Sequence, residues 1–248
     1  MKKQNTTQNF GLLIFLEKMI RSIPVIYIFF RYLIKYTNYF EDDFYYLKKI
    51  FNYKKINIID IGASDGISAL FFLRNLNSKK IFCYEPQKIF YRKLVNLKKK
   101  YKNIFIFNYG LAEKNHNMKI FYPYIKFLGT KMFLLTYSFP KKEVLEQQIR
   151  SDFLIKPLIE QSKIKVKKYT LTKDKIDLIK IDTNGSEVGI VKTLLPLVKR
   201  DNPVFIIENN NIREIYKILK KYKYKKYYVK DGFLKIHRNQ NNANIIFK

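Results

Sequence analysis

From residue 55 onward, the pattern of apolar and polar positions alternates between two periods. Short runs rich in Ile, Phe and Val alternate with longer stretches in which apolar residues recur at helical spacing. A run that is apolar at nearly every position is typical of a strand covered on both faces, as in a parallel sheet. Strands that alternate with helices indicate parallel strands joined by crossover helices. The predicted strands are INIIDIG, KIFCYEP, NIFIFNYG, IDLIKID and NPVFIIENN.

Helical spacing and a hairpin signal complete this pattern. Helices are predicted in SALFFLRNL, KIFYRKLVNLKKKY and VGIVKTLL, because apolar residues recur there every three or four positions. Near the C-terminus, polar and apolar residues alternate on both sides of Asp231 and Gly232, which is typical of a β-hairpin. The short run ANIIFK adds one more strand. We therefore expect a mostly parallel, seven-stranded sheet that ends in antiparallel pairing.

Two regions lie outside this alternation. Residues 122–164 are too long for a simple crossover, and we expect them to form a cap over the strand ends, with a helix in KEVLEQQIRSDFLIKPLIEQ. Residues 1–50 are expected to form an N-terminal helical arm with helices at about 11–22 and 25–36. The main domain would then comprise residues 51–248.

The N-terminal arm is apolar but interrupted by charge. Glu17, Lys18, Arg21, Arg31 and Lys35 leave no stretch of ~20 uncharged residues, so a membrane-spanning helix is not expected. A compact apolar stretch followed by a small-residue cleavage site is also missing, so the arm is expected to remain attached. Its apolar faces and cationic edges suit an anionic lipid surface. Packing of the arm on its own domain is the alternative.

Composition adds a strong positive charge and a single thiol. The 248 residues carry a net charge of +29, and 47% of them are hydrophobic, so a folded, basic protein is expected. Selection for an anionic partner would explain the charge, and so would AT-rich codon usage, since Lys, Asn, Ile, Tyr and Phe are abundant together. Cys83 is the only cysteine, which favours a reducing compartment. We expect a cytoplasmic protein, with the inner membrane face as its site if the arm binds lipid.

The segment DIGASDG joins the first strand to the first helix. Ligands of open α/β sheets lie at the carboxyl ends of strands. Gly62 would permit a tight turn there and would let a ligand approach the backbone, and Gly66 would ease the start of the helix. Ser64 replaces the second glycine of a dinucleotide fingerprint, while Asp60 and Asp65 would repel a pyrophosphate. Acidic side chains favour a cationic ligand instead. S-adenosylmethionine, with its sulfonium and ammonium, has that charge.

Glu85 closes the second strand. A carboxylate at this position can accept hydrogen bonds from both ribose hydroxyls, each contributing roughly 1.5 to 3 kcal/mol. Pro86 then restricts how the chain leaves the strand. Taken singly, Gly62 could be an ordinary turn, Asp65 a helix cap and Glu85 a surface charge. Their combined spacing predicts a cofactor site.

Over residues 55–248 the chain resembles the FkbM family of methyltransferases, in the motifs IIDIGASDG, YEPQKIFYRKL, NYGLAE, IDLIKIDTNGSEVGIVK and VFIIENN. The resemblance implies the class I methyltransferase Rossmann-like fold and methyl transfer to a hydroxyl of a sugar, glycan, lipopolysaccharide or secondary metabolite. It also implies that the cofactor is S-adenosylmethionine. The residues implied to bind it are Asp60, Gly62, Ala63, Ser64, Gly66, Glu85, Pro86, Tyr109, Gly110 and Leu111, the last three beside the adenine ring.

By the same resemblance, catalysis is expected where the fourth and fifth strands end. Asp182 is the first candidate for the base that removes the hydroxyl proton, and Glu208 is expected to orient the acceptor. The family usually has DVEGAE where this chain has DTNGSE, so an amide at Asn184 replaces a carboxylate. Asn184 and Glu187 also have the spacing of a helix capping box. His116, as a neutral imidazole, is an alternative base, and a solvated loop histidine without a catalytic role is the competing interpretation.

Two further alternatives concern metal and nucleic acid. Asp182, Glu208 and Asn209 form an oxygen-rich set that could bind Mg²⁺, but our prediction is a site without metal. The segment KKYKYKKYYVK alternates cations with aromatic rings that could stack on RNA bases. Methylation of base nitrogens usually needs an Asn or Asp followed by two prolines and an aromatic residue. DTNGSE lacks that sequence, so RNA is the second choice of acceptor.

Overall fold

The computed structural model describes residues 23–34, 37, 40–134, 137–238 and 242–248. These residues belong to two compact units. The first unit contains the described residues up to Thr37 together with Ile120–Gln161, and the second contains residues 40–119 together with Ser162–Lys248. The predicted helix at 11–22 lies outside the described residues. The units divide the chain differently from the predicted boundaries at 50, 122 and 164, which stay predictions.

The described residues contain the following elements. The helices are α1 (Pro24–Ile34), α2 (Asp42–Phe51), α3 (Ile67–Asn75), α4 (Lys88–Lys100), α5 (Lys142–Asp152), α6 (Glu187–Thr193), α7 (Leu195–Asp201) and α8 (Ile212–Leu219). The strands are β1 (Ile56–Ile61), β2 (Ser78–Tyr84), β3 (Ile104–Phe107), β4 (Gly110–Leu111), β5 (His116–Phe127), β6 (Thr130–Phe133), β7 (Leu158–Lys167), β8 (Leu178–Ile181), β9 (Val204–Glu208), β10 (Lys226–Lys230), β11 (Phe233–Ile236) and β12 (Asn244–Phe247).

The larger sheet has the strand order β11-β10-β12-β9-β8-β1-β2-β3. The strands from β9 to β3 are parallel, whereas β12, β10 and β11 pair antiparallel. This confirms the α/β class and the antiparallel end. The sheet has eight strands rather than the predicted seven: five parallel strands, both strands of the C-terminal hairpin, and β12. Asp231 and Gly232 both have positive φ in the hairpin turn, as the sequence signal requires.

Helices cover both faces of this sheet. All six residues of β1 are buried, as expected for a central parallel strand. Side chains of α3 and α4 pack on one face, and side chains of α6, α7 and α8 pack on the other. The carboxyl ends of β1, β2, β8 and β9 therefore meet at one edge, where the candidate site lies.

Helix α2 is a structural part of the second unit, although the sequence assigned it to the arm. Phe44 and Leu47 are buried, and the Phe44 ring lies edge-on to Phe71 at 5.4 Å between centroids. The Asp43 carboxylate accepts a hydrogen bond from the Val229 amide at 3.2 Å. Burial, which raises the pKa of Asp43 to about 6, outweighs the lowering by that hydrogen bond.

The first unit has its own small core. Leu134, Leu145, Ile149 and Phe153 are buried together, and Ile28 of α1 packs against them. Part of the predicted arm thus packs on its own chain. Among the described residues, no helix is both long enough and apolar enough to cross a membrane.

The structure corrects the helix predicted over residues 142–161. Helix α5 ends at Asp152, and residues 158–167 form strand β7 instead. Pro157 explains the difference, because proline disfavours helical backbone at the preceding Lys156 and removes an amide donor. The later part of β7 also alternates, with Ile164 and Val166 buried between exposed lysines. The smaller sheet has the strand order β4-β7-β5-β6.

Candidate active site

The turn after β1 packs directly on the end of β8. Gly62 has a φ of +74°, and a Cβ atom there would lie 1.9 Å from the carbonyl oxygen of Asp182. The Gly62 and Ala63 amides both donate to the Tyr84 carbonyl, at 3.0 and 3.2 Å. From the sequence, the space beside the Gly62 Cα is expected to admit a ligand. The structure fills it with the Asp182 backbone, so glycine is required there for the packing of the two strand ends.

Gly66 has the same kind of constraint at the start of α3. Its φ is +85°, and a Cβ atom would lie 3.0 Å from the Leu97 side chain of α4. Its amide donates to the Ala63 carbonyl at 2.9 Å, which closes the turn. The two glycines therefore fix a short, well-packed loop at the carboxyl end of β1.

Glu85 holds this loop through its carboxylate. One oxygen accepts the Ser64 amide at 2.9 Å, and the other accepts the Gln87 amide at 2.8 Å. Burial raises the pKa of Glu85 to about 7, against the lowering by those two amides. Each carboxylate oxygen has a second lone pair. Glu85 can therefore hold the loop and still accept hydroxyl donors from a ligand.

The Ser64 hydroxyl is a polar atom of this loop that no described residue satisfies. It is buried and has no hydrogen-bond partner among the described residues, and Ser64 has a φ of +47°. A buried hydroxyl without a partner costs about 1 to 3 kcal/mol. Such an atom, beside a carboxylate with free lone pairs, fits the ribose and methionine groups of S-adenosylmethionine.

The end of β3 is fastened to the end of β2. The Asn108 side-chain amide donates to the carbonyls of Glu85 and Pro86, at 3.0 and 3.2 Å. Gly110 lies against the Pro86 ring, since a Cβ atom on it would be 3.5 Å from the proline Cγ. Gly110 and Leu111 pair with β7, and the Tyr109 ring lies 4.7 Å from the Lys167 ammonium. The predicted adenine-side residues therefore form one ordered segment next to Glu85.

Lys180 is the site residue that the sequence argument missed. Its ammonium is buried, donates to the Gly62 carbonyl at 2.8 Å, and lies 3.3 Å from Asp60 and 3.4 Å from Asp182. Burial alone would lower the pKa of Lys180, but the two carboxylates raise it above its ordinary value. Lys180 thus joins the cofactor turn to the carboxylate at the end of β8.

Asp60 consequently has a different place from the one predicted. It is fully buried, accepts the Ser68 hydroxyl at 2.6 Å, and pairs with Lys180 through its other oxygen. Asp60 therefore supports Lys180 rather than facing a ligand. The sequence carried a signal for this pair. The apolar strand β1 contains one acidic residue, and the apolar strand β8 contains one basic residue. Strand register places Asp60 directly opposite Lys180.

Asp182 and Glu208 bring two carboxyl groups together at the ends of β8 and β9. The Asp182 side chain is about half exposed, and Glu208 is hydrogen-bonded to it and to the Asn210 amide. Burial first, and then the charges of Asp182 and Glu187, raise the pKa of Glu208 to about 8. Glu208 is therefore largely protonated at neutral pH.

Glu187 organises the turn after Asp182. It is buried and accepts hydrogen bonds from the Thr183 amide and hydroxyl and from the Gly185 amide, at 3.0 to 3.2 Å. Asn184 has a φ of +52°, a conformation in which asparagine is enriched. Backbone geometry is thus a sufficient reason for the amide at Asn184.

The sequence left two alternatives open, a histidine base and a metal site. His116 is exposed, and its Nδ1 atom lies 3.0 Å from the Lys114 carbonyl. In the part of the chain that the structure describes, no group of three or more His, Cys, Asp and Glu side chains is arranged to hold a metal ion.

Comparison with solved structures gives low-identity likenesses. The chain is similar to methyltransferase FkbM from Methylobacillus flagellatus KT, with 15% identity and a TM-score of 0.48, over 78% of this chain and 44% of that one. It is similar to M. capricolum TrmK in complex with S-adenosyl-homocysteine, with 11% identity and a TM-score of 0.36, over 78% and 61%. It is also similar to Aeropyrum pernix fibrillarin in complex with S-adenosyl-L-methionine, with 12% identity and a TM-score of 0.39, over 77% and 65%.

The chain spans less than half the length of the Methylobacillus structure. No curated protein matches the sequence. A model of the methyltransferase FkbM domain matches residues 60–226, which include the glycine turn, Glu85, Lys180, Asp182 and Glu208. That match covers more than half of the chain. The protein therefore belongs to the FkbM family of methyltransferases, whose methyl donor is S-adenosylmethionine.

Proposed function

We propose that this protein is an S-adenosylmethionine-dependent O-methyltransferase that acts on a hydroxyl of a sugar, glycan, lipopolysaccharide or secondary metabolite. The observation that carries the proposal is the carboxyl pair of Asp182 and Glu208, which Lys180 fastens to the glycine turn. A hydroxyl is a weak nucleophile, so its methylation benefits from a fixed base beside the donor.

The residues that would hold the donor line the turn and the two neighbouring strand ends. S-adenosylmethionine supplies the electrophilic methyl group and a positive charge. Glu85 would accept the ribose hydroxyls, the Ser64 hydroxyl would gain its missing partner, and the segment Tyr109–Leu111 would lie beside the adenine. Asp60 would act indirectly, because its carboxylate holds the Lys180 ammonium in position.

Asp182 is assigned as the base. Its carboxylate is half exposed at the end of β8, so an acceptor can reach it, and the Lys180 ammonium holds it in position at 3.4 Å. Accepting the hydroxyl proton at Asp182 increases the electron density on the attacking oxygen. Glu208, in its protonated form, donates a hydrogen bond to Asp182 and so weakens it as a base.

Activity is therefore expected to rise with pH. Glu208 is neutral below its pKa of about 8 and negative above it, so the carboxyl pair accepts a proton readily only at the higher pH. The ratio kcat/KM of the free enzyme should increase through an apparent pKa near 8 and then level off. In Glu208→Gln this rise should disappear, because the amide stays neutral. A wild-type profile that is flat between about pH 6 and 9 would contradict the assignment.

Ser64→Ala tests the cofactor site with two readouts of different sign. Removing a buried hydroxyl that has no partner should leave the melting temperature of the free protein unchanged or higher. The same change should weaken S-adenosylmethionine binding by about 3- to 10-fold in isothermal titration, since one net hydrogen bond contributes about 1 kcal/mol. Ser162→Ala, a serine of β7, is the control. Unchanged affinity in Ser64→Ala would exclude that hydroxyl from the site.

The class of acceptor is tested with a donor whose methyl carbon is ¹³C. Incubation with glycan, lipopolysaccharide and small-hydroxyl acceptors should yield methyl signals at the chemical shift of carbon bound to oxygen. A signal from methyl on nitrogen, obtained with RNA alone, would replace the proposal. The inactive variant Asp182→Asn provides the background in each reaction.

RNA is the second candidate because of one surface feature. Helix α4 exposes Arg92, Lys93, Lys98, Lys99 and Lys100, which suits a polyanion. The aromatic rings of the C-terminal segment give this candidate less support. Tyr224 is buried and donates to the Pro203 carbonyl, and the Lys248 ammonium lies 5.8 Å from the Tyr227 ring. Those rings already have partners within the chain.

A further inference from the structure

Exposed apolar side chains are concentrated in the first unit. Among the described residues, most of the large apolar side chains that face solvent belong to this unit, although it is the smaller of the two. Seven of them occur at three places: the turn between β5 and β6, the loop after α5, and one side of α1. Val144 lies on α5, and Leu158 begins β7. Scattered exposed apolar residues are ordinary, but a set of them on one small unit indicates an interaction surface.

The turn between β5 and β6 carries a leucine in an unfavourable conformation. Phe127 pairs with Thr130, which leaves Leu128 and Gly129 as a two-residue hairpin loop. Both have positive φ, +47° and +75°, a geometry that favours Asn, Asp or Gly. Leu128 is nevertheless 89% exposed, and Phe127 beside it is 46% exposed. A bulky, apolar side chain that is held at positive φ and is almost fully exposed is a signal of function.

The loop after α5 also exposes two neighbouring apolar side chains. Leu154 and Ile155 are 82% and 61% exposed and lie between α5 and β7. Arg150 and Lys156 flank them and are also exposed. Two neighbouring apolar side chains are thus presented between cations.

Helix α1 contributes the third place. Ile26, Phe29 and Leu33 are exposed and are spaced three and four residues apart, so they share one side of the helix. Ile28 packs instead against the core of the unit. The helix is therefore anchored in its own unit and still presents an apolar side to the surroundings.

We propose that the first unit docks on an anionic lipid bilayer, with Phe127 and Leu128 at the hairpin tip and Leu154 and Ile155 at the loop entering the interface. Small apolar tips with flanking cations suit a fluid surface, because the side chains enter separately and the cations meet anionic headgroups. Lys126 and Lys131 flank the hairpin tip, and Lys131 also pairs with Glu160. A second copy of the chain is disfavoured as the occupant, since both copies carry a net charge of +29.

Leu128→Asn is the decisive variant, because asparagine is favoured at positive φ in such a turn. We expect it to raise the melting temperature or leave it unchanged while it lowers the partition onto vesicles of phosphatidylcholine and phosphatidylserine by about tenfold or more. The full-length protein is floated with vesicles in a density gradient. Leu154→Ser with Ile155→Ser should lower the partition similarly.

Tyr53→Asn is the matched control. Tyr53 is 91% exposed and has a φ of +62°, but it belongs to the second unit. We expect its replacement to leave flotation unchanged. Equal flotation of Leu128→Asn and wild type would overturn the proposal, as would equal flotation on vesicles of phosphatidylcholine alone. A wild-type dimer that Leu128→Asn converts to a monomer, with flotation unaffected, would assign the surface to self-association and also overturn it.

Discussion

Asp182→Asn is expected to lower the rate of methyl transfer by about 10²- to 10⁴-fold and to leave binding of S-adenosylmethionine largely intact. The amide keeps the shape of the side chain and its position at the end of β8, but it cannot accept the hydroxyl proton. Single-turnover kinetics with saturating donor measures the chemical step, and isothermal titration measures binding. Together they separate loss of the base from loss of the cofactor site.

The control for this variant is Asp174→Asn. Asp174 forms an ion pair with Lys80 at 2.9 Å. Its replacement therefore removes an aspartate–lysine ion pair that does not belong to the carboxyl pair of Asp182 and Glu208. We expect the rate to be unaffected. Wild-type turnover by Asp182→Asn would remove Asp182 as the base and leave Glu208 as the remaining carboxyl group of the cluster.

Lys180→Met should cause the largest loss of stability. The ammonium is buried between Asp60 and Asp182, and its removal would leave the fully buried Asp60 carboxylate without a cationic partner. Breaking a buried pair from one side costs about 3 to 5 kcal/mol of the free energy of unfolding. Urea unfolding at neutral pH, followed by circular dichroism, measures this change.

A double-mutant cycle distinguishes a lost ion pair from simple overpacking by methionine. In Lys180→Met combined with Asp60→Asn, the buried charge is gone, so the double variant should be more stable than the sum of the two single changes predicts. Strict additivity would show that Lys180 and Asp60 do not act on each other. Methyl transfer should be low in Lys180→Met and also in the double variant, because in both of them Asp182 lacks the cation that positions it.

The pattern of apolar runs was enough to predict the central part of the fold. Strands β1 and β8 are buried throughout, and most of β2 and β9 is buried, so burial itself imposed the signal that the sequence shows. Strand β3, at the sheet edge, is only partly buried. The first unit was less predictable. The hairpin of β5 and β6 turns on Leu128, which is not a turn-forming residue, and Pro157 ended a helix that the apolar spacing alone would have continued.

Part of the candidate site depends on strand pairing, which the order of residues along the chain does not show. Glu85 and the glycine turn were found because their spacing follows the chain. The role of Lys180 depends on strand register, which places it opposite Asp60 only when β1 and β8 are neighbours. The contact between Gly62 and the Asp182 backbone depends on the same adjacency. Neighbouring strands that are distant along the chain carry no local signal of their pairing.

Strand β12 lies inside the sheet, between β9 and β10, although it follows both of them along the chain. During synthesis on a ribosome, the hairpin of β10 and β11 therefore emerges before the strand that links it to the parallel strands. Until residues 244–247 leave the exit tunnel, the apolar edge of β9 has no neighbour on that side, and the nascent chain is exposed to aggregation. Chaperone dependence of this protein should accordingly be greatest before residues 244–247 have paired with β9.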